Sequence, residues 1–219
     1  MSRFKPEVAG PYIDAQMLDL NGDGRPDLVT SYGAVYLRGA DGRLPAEPTL
    51  RLPTEKGEWH FLAVGDFNGD GWPDVVLLAY GMHGRASARA FYNTGKAGRP
   101  FGGRPDAVVP LDPARKSDPL TLVRDAPAVC DWDGDGTDDL VVGRGQSQEV
   151  LVLLGGRGGL DRKRSEAVAL GYRVHYETGL FVGDFDGDGR PDLAAFGYTL
   201  TGVGWNGPPA AYIWLQPAK

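Results

Sequence analysis

One nonapeptide occurs four times in this chain and constrains its fold more than anything else. It reads Asp19-Leu-Asn-Gly-Asp-Gly-Arg-Pro-Asp27 and Asp66-Phe-Asn-Gly-Asp-Gly-Trp-Pro-Asp74 in the first half. It returns as Asp131-Trp-Asp-Gly-Asp-Gly-Thr-Asp-Asp139 and Asp184-Phe-Asp-Gly-Asp-Gly-Arg-Pro-Asp192. Oxygen-bearing side chains recur at positions 1, 3, 5 and 9, glycine at 4 and 6, and an apolar residue at 2. An apolar run follows position 9.

This spacing suits a hard cation. Ca2+ takes six to eight oxygens at about 2.3–2.6 Å. Alternate residues of a tight loop point inward, so positions 1, 3 and 5 converge. The expected ligands are Asp19, Asn21, Asp23 and Asp27; Asp66, Asn68, Asp70 and Asp74; Asp131, Asp133, Asp135 and Asp139; and Asp184, Asp186, Asp188 and Asp192. The main-chain carbonyl at position 7 adds one oxygen, from Arg25, Trp72, Thr137 and Arg190. Gly24, Gly71, Gly136 and Gly189 stand where the loop must reach positive φ. Pro26, Pro73 and Pro191 pre-set φ at the entry to the next strand. Mg2+ fits less well, because it dehydrates reluctantly and prefers few protein ligands. An acidic turn held by Asx-type hydrogen bonds is the bland alternative. Four copies in one register argue against it. An EF-hand needs Glu at loop position 12, which here is Thr30, Leu77, Val142 or Ala195.

The loops begin at residues 19, 66, 131 and 184, so they are spaced by 47, 65 and 53 residues. The segments left over at the two ends together make one further period. A repeat of about 40–50 residues carrying short strands is a propeller signature. The expected fold is all-β: a single β-propeller over residues 1–219, with four blades of four antiparallel strands. The repeats fall around 9–53, 57–111, 120–170 and 174–215. Residues 3–8 supply the last strand of the fourth blade and close the ring, which removes two open sheet edges. Gly 33 and Pro 17 agree with a turn-rich all-β chain.

Within each repeat the order is strand, metal loop, strand, turn, strand, turn, strand. The first repeat runs Tyr12–Leu18, Leu28–Ser31, Val35–Arg38 and Thr49–Pro53; the second, Trp59–Gly65, Val75–Tyr80, Arg89–Asn93 and Ala107–Leu111. The third runs Ala128–Cys130, Leu140–Gly143, Val150–Leu154 and Glu166–Leu170; the fourth, Thr178–Gly183, Leu193–Phe196 and Tyr212–Leu215. Gly81–Ser87 and Tyr198–Pro209 are expected as long turns, Asp112–Asp125 as a surface loop, and Asn93-Thr-Gly as a tight hairpin turn. The position-2 residues Leu20, Phe67, Trp132 and Phe185 are expected to pin each loop to the core.

These loops resemble the FG-GAP and VCBS-type repeats of integrin-α-like β-propellers. The resemblance implies that each loop joins the first two strands of a blade and holds Ca2+, about four ions per chain. It does not carry integrin-type adhesion with it. The Phe-Gly and Gly-Ala-Pro elements are poor here, Val142-Gly-Arg-Gly being nearest to the latter. Four blades are also fewer than the seven usual in integrin-like rings.

The net charge of −6 fits this reading, since four divalent ions would take it to +2. No basic stripe suggests nucleic acid, Arg162-Lys163-Arg164 being a short solvated turn. No apolar run reaches the ~20 residues of a membrane span. Cys130 is the only cysteine and reads as a small buried hydrophobe. The opening Met-Ser-Arg-Phe-Lys-Pro has no apolar signal region. Weak calcium sites fill only where calcium is millimolar, so an extracellular, cell-surface or periplasmic location is expected.

The face opposite the loops would gather Trp59, His60, His83, His175, Tyr176 and Trp205, aromatic and polar groups that suit a glycan or a protein ligand. The expected role is a structural or ligand-binding interaction module. The alternative is a carbohydrate-active enzyme or its accessory domain. Catalysis is not expected: the carboxylates are committed to metal loops, and no Ser-His-Asp arrangement, phosphate loop or nucleophilic cysteine is readable.

Overall fold

The computed structural model describes residues 14–54, 58–81, 86–111, 127–143, 149–169, 174–175, 179–199 and 209–217. The candidate strand Arg3–Val8 and the segment Asp112–Asp125 lie outside them. The described strands form four antiparallel sheets. The first sheet holds β1 (Ala15–Leu18), β2 (Asp27–Thr30), β3 (Ala34–Tyr36) and β4 (Leu50–Arg51), in that order. The second repeats the meander with β5 (Glu58–Gly65), β6 (Asp74–Gly81), β7 (Ala86–Phe91) and β8 (Ala107–Pro110). The third does so with β9 (Ala128–Cys130), β10 (Asp139–Gly143), β11 (Glu149–Leu153) and β12 (Glu166–Ala169). The fourth holds β13 (Val174–His175), β14 (Leu180–Gly183), β15 (Asp192–Thr199) and β16 (Pro209–Trp214). There β13 and β14 pair with successive stretches of β15, and β16 pairs along its other edge.

In the second and third sheets the second strand is apolar because both its faces are covered. In β6, Val75 and Leu77 enter a core shared with Leu20, Val29 and Val35 of the first sheet. Their neighbours Val76 and Leu78 enter a core shared with Leu140, Val142 and Leu151 of the third. In β10 the alternation continues: Val141 turns away from the second sheet and packs with Trp132, Leu193 and Trp214. Contacts between leading strands run β1 to β5, β5 to β9 and β9 to β14. The sheets are therefore layered in sequence order, like consecutive propeller blades.

Several expected boundaries shift. Gly81 still belongs to β6, and Ala86 and Ser87 to β7, so the turn between them is shorter than expected. Tyr198 and Thr199 extend β15 and Pro209 opens β16, which narrows the expected Tyr198–Pro209 turn. The segment Asn93-Thr-Gly is not a tight hairpin turn. Strands β7 and β8 are joined by residues 92–106, and Asn93 opens that loop by accepting from the Gly95 N–H at 3.0 Å. Arg162–Arg164 is one turn of 3-10 helix with no buried residue, capped by Asp161.

Phe185 corrects a further expectation. Leu20, Phe67 and Trp132 are buried, each against the sheet that follows its own. Phe185 is 47 % exposed. Among the described residues no further sheet packs on the fourth, and its outer face leaves Phe181, Phe196 and Ile213 exposed too. Phe181 and Phe196 meet edge to face at 5.4 Å.

Candidate metal centre

The four loops connect β1 to β2, β5 to β6, β9 to β10 and β14 to β15, and each folds on one ladder of hydrogen bonds. The position-1 carboxylate gathers main-chain N–H groups from across the loop. Asp19 Oδ1 accepts from Gly22 at 2.7 Å and Asp23 at 3.1 Å, and its Oδ2 accepts from Gly24 at 2.7 Å. Asp66, Asp131 and Asp184 repeat this, with Oδ2 accepting from Gly71 at 2.8 Å, Gly136 at 2.9 Å and Gly189 at 2.9 Å. The position-3 oxygen of Asn21, Asn68, Asp133 and Asp186 accepts from the position-5 N–H at 3.0–3.2 Å. Position 5 in turn accepts from position 7 at 2.8–2.9 Å. Such a spiral requires left-handed backbone, and Gly71 at φ 84 and Gly136 at φ 86 supply it.

Position 9 does two jobs. Asp27, Asp74, Asp139 and Asp192 are at most 1 % exposed. In each, Oδ2 accepts from the position-2 N–H at 2.7–3.0 Å. The other oxygen, Oδ1, accepts from the backbone after the third or last strand of the sheet: Arg38, Asn93, Gly155 and Gln216, at 2.6–2.8 Å. This carboxylate ties its loop to its own sheet while standing at the mouth of the loop.

In loops three and four, three carboxylates each draw close enough to suit a hard dication, Asp135 and Asp192 standing outside these groups. Carboxylate oxygens of Asp131, Asp133 and Asp139 all lie within 4.8 Å of one another, as do those of Asp184, Asp186 and Asp188. Two oxygens on opposite sides of an ion bonded at about 2.4 Å would be about 4.8 Å apart. The electrostatics agree. Burial, with added repulsion from Asp70 and Asp66, pushes the Asp74 carboxyl up to about 7. Burial pushes Asp139 up to about 6, with Asp133 adding to it. A neighbouring cation would relieve both.

The loops are not equivalent. Loops one and two carry Asn at position 3, whose amide donates to the position-5 carboxylate at 3.0 Å. In loops one and four the position-7 arginine already pairs with that carboxylate, Arg25 on Asp23 and Arg190 on Asp188. The Arg190 hydrogen bond holds the Asp188 carboxyl below its usual range. Loop three has aspartate at all four of positions 1, 3, 5 and 9, and Thr137 in place of arginine.

Neighbouring loops also touch, which sequence reasoning missed. The position-2 carbonyl of each of the first three loops is held from the following sheet. Leu20 O accepts from Asn93 Nδ2 at 2.8 Å, Phe67 O from Gly156 N at 3.0 Å, and Trp132 O from Gln216 Nε2 at 3.2 Å. The Trp72 indole covers Gly22 of the preceding loop so closely that a Cβ there would come within 2.7 Å of it. The signal available in the sequence was the one irregular position 8, Asp138 among three prolines.

The opposite face is less fully described. Trp59 and His175 lie in paired strands, opposite Tyr80 and Tyr198. His60 is buried within β5, where its ring meets Tyr32 edge to face at 6.3 Å. His83, Tyr176 and Trp205 lie outside the described residues. Cys130 is half-buried in the core, and burial pushes its thiol up to about 12.

Comparison with known families agrees with the geometry. The FG-GAP-like repeat matches residues 19–77 and 131–195, and the FG-GAP repeat matches residues 59–97. No curated protein matches the chain. Each stretch matched by the FG-GAP-like repeat opens on the first aspartate of a nonapeptide loop and runs through the next one. With four such loops in register on four antiparallel sheets, this chain belongs to the FG-GAP-like repeat family.

Proposed function

We propose that the chain is a calcium-stabilised β-propeller of four blades that serves as an interaction module rather than an enzyme. The supporting observation is the ladder common to all four loops, with oxygens at the same positions in each. Each loop would take one Ca2+ through positions 1, 3, 5 and 9 and the position-7 carbonyl, about four per chain. The ion supplies positive charge to a carboxylate cluster whose repulsion would otherwise splay the first two strands of the blade. In this reading residues 3–8 complete the fourth blade, and the first sheet covers Phe181, Phe185 and Phe196. An exported location follows from the millimolar calcium that such sites need.

The loops occupy one end of the sheets, which leaves the other end for a partner. A glycan or protein ligand there, among Trp59, His175, Tyr176 and Trp205, is the reading that its aromatic content favours. Equilibrium dialysis against calcium tests the metal reading, with about four ions per chain as the expected count. A glycan array tests the ligand face. Binding that survives Trp205→Ala would remove that face from consideration, and turnover of a bound glycan would reverse the assignment as a non-enzyme.

A further inference from the structure

We propose that Asp138 couples the second and third loops, so that a cation held in one raises the affinity of the other. The inference rests on the reading of these loops as calcium sites.

Position 8 is proline in the other three loops, and proline has no N–H to give. Asp138 gives one. Its N–H donates to the main-chain oxygen of Asp66 at 3.0 Å, and the Asp66 N–H donates to Asp138 Oδ2 at 2.7 Å. Both backbone groups of the first ligand of loop two are thereby held from loop three. The approach depends on the glycine before it: a Cβ on Gly65 would lie 2.8 Å from that same Oδ2.

A second path runs in parallel. Asp139 Oδ1 accepts from Gly155 N at 2.6 Å, and the next residue, Gly156, donates to Phe67 O at 3.0 Å. Residues 66 and 67 are thus held through both positions 8 and 9 of loop three. Loop one receives no such main-chain pair from loop two: Pro73 replaces the aspartate, and the contacts described are the Asn93 side chain on Leu20 O and the Trp72 indole over Gly22. When Asp131, Asp133 and Asp139 are drawn together, residues 131–139 are fixed, and Asp138 with them. Asp66 is then ordered before its own loop fills, so loop two loses less conformational freedom on binding. By linkage the effect is reciprocal.

The test reads loop two through terbium emission sensitised by Trp72, taken as the difference between the chain and its Trp72→Phe variant, with loop one disabled throughout by Asp23→Ala because Trp72 also lies against Gly22. Disabling loop three with Asp135→Ala is expected to weaken terbium binding in loop two by about fivefold or more, the lower end of ordinary coupling. In an Asp138→Pro background, which restores the residue of the other loops, the factor lost should fall to about half or less, the path through Asp139 alone remaining. Amide exchange supplies a readout without metal: Asp66 N–H should lose protection in Asp138→Pro. If the proline variant does not fold, Asp138→Ala keeps the N–H, removes the carboxylate and is judged by the same criterion. An equal loss in both backgrounds, or none in either, overturns the coupling and leaves the calcium reading intact. A chain whose loops bind no terbium overturns both.

Discussion

The side chain of Asn93 donates to the main-chain oxygen of Leu20 at 2.8 Å, so the second sheet grips the nonapeptide loop of the first. The same amide nitrogen lies 3.2 Å from Pro73 O, and the Asn93 N–H donates to Asp74 at 2.8 Å. One buried residue therefore serves two loops. Asn93→Ala would leave buried carbonyls without a donor, at a cost of about 1–3 kcal/mol. Asn93→Asp should cost more than the alanine, because besides losing both donations it sets a buried carboxylate oxygen against the two carbonyl oxygens. Urea denaturation of the two variants checks the order; an aspartate variant as stable as wild type would break the argument.

Position 2 tests the closure of the ring. Phe67 is fully buried between the second and third sheets, whereas Phe185 is half exposed among the described residues. Phe67→Ala should lose about 3–5 kcal/mol. With the first sheet closed over the fourth, as the four-blade reading has it, Phe185→Ala should lose a comparable amount. A loss of about 1 kcal/mol or less for Phe185→Ala in denaturant would leave that face open and contradict ring closure.

Loop three should bind calcium most tightly. It has aspartate at positions 1, 3, 5 and 9 and no arginine at position 7 to engage its position-5 carboxylate. Asp135→Ala is expected to reduce the calcium-induced rise in melting temperature more than Asp23→Ala does. Calorimetric titration of both variants measures the order, and the reverse order would show that carboxylate count does not govern these sites.

The metal-free chain should become less stable as pH rises from about 4 to 7. Asp74 is pushed up to about 7 and Asp139 up to about 6, both from an ordinary 3.8, chiefly by burial. Across that window the folded state holds protons that the unfolded chain has released, so stability falls with increasing pH. Saturating calcium should remove the fall by neutralising the ionised carboxylates. Melting curves in chelator that stay flat or rise over this range would contradict the assignment.

The strands and loops were legible because each is set locally. A doubly covered strand must be apolar on both faces, and β6 and β10 announce themselves that way. The loop chemistry is carried by nine consecutive residues. Relations between repeats were not legible. Nothing in the neighbourhood of Asn93 says that its amide will meet Leu20, and Phe185 looks the same as Phe67 until the next sheet is present or absent. The role of position 9 as a clamp was not legible, because its partners Arg38, Asn93, Gly155 and Gln216 follow a later strand at variable distances. His60 read as a group for the ligand face, yet its place within β5 buries it.

Melting temperature in calcium and in chelator bears most directly on the whole account. A cation bound only by the folded state must raise the midpoint by mass action. The midpoint should climb with calcium concentration and fall in EDTA, and the climb should shrink when Asp131, Asp133 and Asp135 are replaced by alanine. A midpoint indifferent to both calcium and EDTA would contradict the claim that divalent ions hold these loops together.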